Sequence, residues 1–315
     1  MQKDVAAYFN QIVIPLLEDR YLAVAREMSI QIRGSYGLGI ADEYSDLDAI
    51  LWLDDPMWKE EGGQVQLALE NDIPRFGATD ILSEHGHAEV NVWPLSWLGH
   101  RRQFLNDTLD MPWELVSFEE LFEIQRNLVL RDPQSLFRRL REATRPENFP
   151  EALWRKRLIQ NMKKLDDDIT EYCQVIRRDR RMEGAIISGR LVQDLLHLGF
   201  LISRQYYPWP THLHWAFSKL APPATEVSPH LETLSGQGDP DEKLSAARQA
   251  RETYASAILE RGLLSAEILD DLVWAERLEA WSKENWRDWI ENCRKKARAA
   301  GHQPKDFWIW SLWGW

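Results

Sequence analysis

Cysteine is scarce in this chain: 315 residues hold two, Cys173 and Cys293. They lie far apart and form no CxxC, so neither a zinc ribbon nor a disulfide framework is available, and both read as reduced, buried thiols. No run of eighteen apolar residues occurs, and the opening Met-Gln-Lys-Asp lacks the apolar core of a signal peptide. Those two absences predict a cytoplasmic protein without a membrane partner. Positive charge is also short, with 38 Lys and Arg against 50 Asp and Glu and a net charge of −12. Such a balance argues against a nucleic-acid partner and mildly favours a small or cationic one. The length is enough for two domains, each with its own core.

What is present is concentrated in Ile30 to Leu53, IQIRGSYGLGIADEYSDLDAILWL. Ile30 and Ile32 alternate as a strand does, Gly34-Ser35 turns the chain, Gly37 and Gly39 punctuate a loop, and Ala49 to Leu53 reads as a second strand. The expected order is strand, phosphate-gripping turn, loop, strand. The period of two points Asp46 and Asp48 to one face where the second strand starts. No nearby Lys pairs with them, so the two carboxylates repel each other, and a divalent cation resolves that repulsion. No Lys-Ser or Lys-Thr closes the glycine loop, which excludes a Walker A motif.

Gly34, Ser35, Gly39, Ser45, Asp46 and Asp48 together resemble the signature of the DNA polymerase β-like nucleotidyltransferase superfamily, Gly-Ser followed by Asp-x-Asp. The resemblance implies that Asp46 and Asp48 hold Mg²⁺ as hard oxygen ligands. It also implies that Gly34 and Ser35, with Ser45 beside the aspartates, bind the phosphates of ATP or another nucleoside triphosphate. The expected fold is α+β: a mixed β-sheet flanked by helices over 1–145, then an all-α helical bundle over 146–315 that closes the cleft.

Around that motif the chain reads mostly as helix. Asp4 to Arg20 has helical spacing, with Asp4 placed to cap and Pro15 to kink it. Pro56 to Asn71 suits strand or helix, and Asp80 to Leu82 reads as a short strand. In His87 to Leu95, Val90 and Val92 alternate against Glu89, Asn91 and Trp93. The superfamily often sets a third carboxylate on such a later strand, and Glu89 fits it. Its setting resembles the Glu-Val-Thr-Val strand of the streptomycin/spectinomycin adenylyltransferases, which implies a base acting on the attacking hydroxyl or a third metal ligand. The alternative is a solvent-facing edge residue. His85 and His87 suggest a His-x-His-x-Glu metal site but read better as loop surface. Asp132, in Arg131-Asp132-Pro133, is a nucleotide-site candidate by the same resemblance, with a helix cap as the competing role.

Beyond Thr144 to Pro150 the sequence turns helical, with Glu151 to Ile176 and Glu183 to Arg204 as long helices. Asp166-Asp167-Asp168 fans out around the first of them and reads as a solvated face rather than a metal site. Arg204 to Pro210, RQYYPWP, and Trp215 to Leu220 resemble the C-terminal domain of those adenylyltransferases and an uncharacterised bacterial nucleotidyltransferase group. That resemblance implies nucleotide-binding roles for Arg190 and Tyr254, with a salt bridge to Asp194 as the competing role for Arg190. It also brings a departure. The family carries a lysine just after its Tyr-Pro segment, and here Trp209, Thr211 and His212 stand there, leaving Lys219 as the nearest substitute. Trp274, Trp281, Trp286, Trp289 and Phe307 to Trp315 crowd the end of the chain. Two roles are open for them: filling a core or a homodimer seam, or an aromatic wall for a sugar, nucleobase or cation.

The function expected is transfer of a nucleoside monophosphate, AMP from ATP, to a hydroxyl of a small-molecule acceptor such as an aminoglycoside. The alternatives are a nucleotide-binding regulator or antitoxin-like protein with little turnover, and an adenylyltransferase that modifies proteins.

Overall fold

The computed structural model describes residues 2–42, 44–73, 88–105, 112–266 and 268–269. It divides into two compact units, Met1–Gln160 with Leu196–Ser228, and Asn161–Leu195 with the chain from Pro229. The sequence reading places one cut at 145/146, and the helices Glu151–Ile176 and Arg181–Ile202 each contribute residues to both units. His85, His87, Asp80 to Leu82, Cys293 and the tryptophan-rich end lie outside the described residues.

The first unit is built on a four-stranded mixed sheet: β1 Ser29–Ile32, β2 Leu47–Leu53, β3 Ala88–Pro94 and β4 Leu128–Arg131, in the order β3-β2-β1-β4. β1 runs antiparallel to β2 and β4, whereas β2 and β3 are parallel. The central strands are apolar and buried, with Ile30, Ile32, Leu47, Ala49, Leu51 and Leu53 in one core with Val90 and Val92. A mixed four-stranded sheet in a largely helical chain is consistent with the α+β class that the resemblance implied.

Against the sheet pack Gln2–Tyr8, a π-turn Phe9–Val13 and Ile14–Arg20, whose Val5, Phe9, Val13 and Leu17 are fully buried. Pro15 has no N–H to return to the preceding turn, and the wider turn just before it takes up that defect. Asp4 lies inside this helix rather than capping it, since the helix already starts at Gln2. The ambiguous stretch after Pro56 is helical: a π-turn Trp58–Gly62 runs into Gly63–Asp72, which buries Val65 and Leu69.

A second cluster in this unit is aromatic. Phe118 meets Phe149, Trp154, Tyr206 and Tyr207 at centroid distances of 5.1–5.3 Å. The indole N–H of Trp154 donates to the Leu201 carbonyl at 2.9 Å. Edge-to-face and tilted packing of this kind adds to area burial, and it pins the Tyr206-Tyr207-Pro208-Trp209 segment to the helix Phe118–Arg126.

In the second unit the acidic triplet is not a solvated face. Asp166 accepts from Arg251 Nε at 3.0 Å, and Asp168 accepts from Arg190 Nε at 3.0 Å. Asp166 and Asp168 are 4% and 3% exposed, and only Asp167 stands outside, paired with Lys163. Helical fanning turns two of the three carboxylates inward, where a facing helix supplies an arginine to each. Cys173 is a free, half-buried thiol. The helix Arg181–Ile202 has the length and mean hydropathy of a membrane span, 22 residues and 1.4. Most of its apolar residues, Ile187, Leu191, Leu195 and Leu198 among them, are buried in the protein.

Candidate functional site

The turn after β1 builds the first wall of a cavity of about 590 Å³, all of whose lining residues belong to the first unit. Gly34–Leu38 is a short helix rather than an open loop. Gly34 begins it at φ +57°, and a Cβ there would stand 3.1 Å from Asp48 Oδ2. Glycine is therefore needed both for the left-handed backbone and for the approach to the carboxylate. Gly37 is held by a harder constraint, since its Cβ would fall 2.3 Å from the Ile32 carbonyl oxygen. The Arg33 N–H donates to the Asp48 carbonyl at 2.8 Å, which ties the turn to β2.

β2 begins at Leu47, two residues earlier than the sequence suggests, so Asp48 is a strand residue and Asp46 immediately precedes it. In the parallel β2–β3 register Asp48 stands opposite Glu89, and Ile50 opposite Asn91. Period-two geometry then sends Glu89, Asn91 and Trp93 to the cavity side of β3, and all three line it. Asp46, Asp48 and Glu89 thus come to one pocket. Burial, followed by the neighbouring charges of Asp46 and Glu89, pushes the Asp48 carboxyl above its usual range, while Arg33 acts in the opposite sense.

Among the described residues no group of three or more His, Cys, Asp or Glu side chains is gathered tightly enough to hold an ion as it stands. The donor set nevertheless fits a hard cation: it is all oxygen, and its members repel one another. Ser45 lines the same cavity, its hydroxyl donating to Asp42 Oδ1 at 2.9 Å and accepting from the Asp42 N–H at 3.0 Å.

The opposite wall comes from two elements: the end of a helix that sequence reasoning did not link to the motif, and the segment after Tyr207 where the resemblance expected a lysine. Phe122, Glu123 and Asn127 arrive from the end of Phe118–Arg126, and Pro208, Trp209, Thr211 and His212 from the aromatic segment. Glu123 accepts from Arg33 Nη2 at 2.9 and 3.0 Å and from Trp209 Nε1 at 3.1 Å. Burial holds His212 below the ordinary imidazole value. Asn127 is 2% exposed, and its Nδ2 has no hydrogen-bond partner among the described residues. The alternation that exposes Glu89 also flags Asn91 and Trp93. Glu123 is 90 residues from its arginine and carries no such local signal.

The other candidates are not among the residues lining this cavity. Lys219 is in the first unit, with its Nζ 4.9 Å from the Trp215 ring centroid, and does not line the cavity. Asp132 has the capping role: it accepts from the Arg138 N–H at 3.0 Å in the first turn of Leu136–Ala143, and from the Ser29 hydroxyl at 3.3 Å. Arg190 belongs to the second unit, where Asp168 and Glu171 engage it. Asp194, the partner in the competing role weighed for Arg190, is paired with Lys164, because the neighbouring helix brings that lysine to it. Tyr254, also in the second unit, is fully buried and lines no open surface.

A family model described as a domain of unknown function, DUF4037, matches residues 113–216. That span includes Glu123 and Trp209 but neither the Gly34-Ser35 turn nor the three carboxylates. No curated protein matches the chain. Among solved structures, a nucleotidyltransferase-like protein from Exiguobacterium sibiricum 255-15 is similar at 12% identity and a TM-score of 0.38. The match covers 86% of this chain and 83% of that one.

Proposed function

We propose that the chain is a Mg²⁺-dependent nucleotidyltransferase that moves a nucleoside monophosphate, AMP from ATP, to a hydroxyl of a small molecule, aminoglycoside-like acceptors being the nearest analogy. The observation that carries this reading is the convergence of Asp46, Asp48 and Glu89 beside the Gly34-Ser35 turn, with Asp48 and Glu89 opposite each other across two strands. Asp46 and Asp48 would hold the metal, which when bound supplies positive charge to the reacting phosphate. The Ser35 N–H and hydroxyl donate to phosphate oxygens, and the missing side chain at Gly34 lets the backbone come close. Glu89 accepts the proton of the acceptor hydroxyl. The acceptor oxygen bonds to the α-phosphorus, the bond from that phosphorus to its bridging oxygen breaks, and pyrophosphate leaves. Because Glu89 is exposed, its proton can pass on to solvent.

The test is a panel of nucleoside triphosphates with Mg²⁺ and candidate acceptors, read by released pyrophosphate and by the mass gained by the acceptor. A gain of one nucleoside monophosphate on a small molecule is the expected result. Labelling of a protein instead would move the acceptor class. Nucleotide binding with no pyrophosphate from any pairing would favour a regulator.

A further inference from the structure

A triphosphate brings several negative charges into a cavity that already holds Asp46, Asp48, Glu89 and Glu123. Among the described residues lining it, Arg33 is the one Arg or Lys. It directly precedes the Gly34-Ser35 turn, and its backbone is fixed to β2 through the Asp48 carbonyl. Its side chain, one third exposed, meets Glu123, which is 15% exposed.

The form of that contact matters. Arg33 engages Glu123 through Nη2 alone, which reaches both carboxylate oxygens, and makes no other side-chain hydrogen bond among the described residues. Nη1 and Nε remain to receive a second anion. Guanidinium binds carboxylate and phosphate oxygens with the same geometry, so each can replace the other. Glu123 is also provided for once Arg33 leaves. Trp209 Nε1 still donates to it, and Arg101 is near enough for Glu123 to oppose the lowering effect of burial on that guanidinium.

We infer that Arg33 is the triphosphate contact of this pocket, and that Glu123 holds its guanidinium where a phosphate will sit, so that ligand binding exchanges one anion for the other. The inference rests on the transferase reading for its ligand. It replaces the cation that the sequence resemblance sought at Lys219 or Arg190 with one built into the motif's own turn. The orphaned Nδ2 of Asn127, in the same wall, adds a donor for which the described residues supply no acceptor.

The experiment is calorimetric titration of the full chain with inorganic tripolyphosphate at a fixed excess of Mg²⁺, on the unmutated protein, Arg33→Gln, Glu123→Gln and the double variant. Arg33→Gln should bind roughly tenfold more weakly or worse, and Glu123→Gln several-fold more tightly, on the scale of charged hydrogen bonds. The gain from Glu123→Gln should vanish when Arg33 is already gone, which separates exchange from mere removal of a negative charge. Should Arg33→Gln fail to fold, Arg33→Lys, which keeps charge but loses the planar donor array, should weaken binding and cut the Glu123→Gln gain. An unchanged affinity in the Arg33 variants, a Glu123→Gln gain that persists without Arg33, or no binding to the unmutated chain overturns the assignment. Pyrophosphate release from ATP is scored separately, so a chain that binds tripolyphosphate in this pattern yet never turns over would refute the transferase reading and leave the Arg33 site standing.

Discussion

Asp48 and Glu89 face each other directly across the parallel strands β2 and β3. The pairing gives the two carboxylates different settings: Asp48 is half-buried against Gly34, whereas Glu89 is exposed on the sheet's outer strand. Glu89→Gln should therefore lower the chemical rate by a factor on the order of 10² to 10⁴ while nucleotide affinity moves little. Single-turnover kinetics beside equilibrium binding checks this. A rate equal to that of the unmutated chain would return Glu89 to an ordinary edge position.

The environment of Asp48 predicts a stability effect of definite sign. Its folded pKa is raised by burial and by Asp46 and Glu89, so its contribution to stability is present at low pH and is lost as pH rises through the folded value. At neutral pH the ionised carboxylate is a cost to the metal-free fold. Asp48→Asn should then raise the Tm of the metal-free chain at pH 7, and the difference should shrink or reverse near pH 4. Thermal denaturation in EDTA at both pH values measures it, and a lower Tm for the variant at pH 7 would contradict the assignment.

Gly37→Ala tests the turn. Its Cβ would meet the Ile32 carbonyl carbon and oxygen, backbone atoms that cannot swing aside. Overpacking of this type should cost about 1–3 kcal/mol, visible as a lower urea midpoint. A midpoint within error of the unmutated chain would mean that the turn adapts freely.

In the second unit, Arg251→Met leaves Asp166 buried without its partner. The two side chains are 8% and 5% exposed, and breaking such a pair from one side costs about 3–5 kcal/mol. Adding Asp166→Leu should recover much of that loss, and the double variant's urea curve decides the point.

How much of this could be read in advance follows the range of the forces involved. Ile30 to Leu53 and Glu89 were legible because a strand's period and a turn's glycines are local, and the structure brings Gly34, Ser35, Ser45, Asp46, Asp48 and Glu89 to one cavity. The acidic triplet misled because burial by a facing helix leaves no mark on the acidic stretch itself. Arg251 is 85 residues from Asp166. Glu123 was silent for the same reason, meeting Arg33 from 90 residues away, whereas the resemblance pointed to Trp209, Thr211 and His212 only as the place of a missing lysine. Lys219, Arg190 and Tyr254 came from likeness between helical sequences, which constrains a helix's face poorly. Lys219 stands beside Trp215, Arg190 is ion-paired, and Tyr254 is buried.

The central claim is that Asp46 and Asp48 are the carboxylates on which transfer depends. Pyrophosphate release from ATP with Mg²⁺ and a competent acceptor should be present in the unmutated chain and fall below detection in Asp46→Asn and in Asp48→Asn, with circular dichroism of all three proteins the same. Release at the unmutated rate in either folded variant would contradict the account.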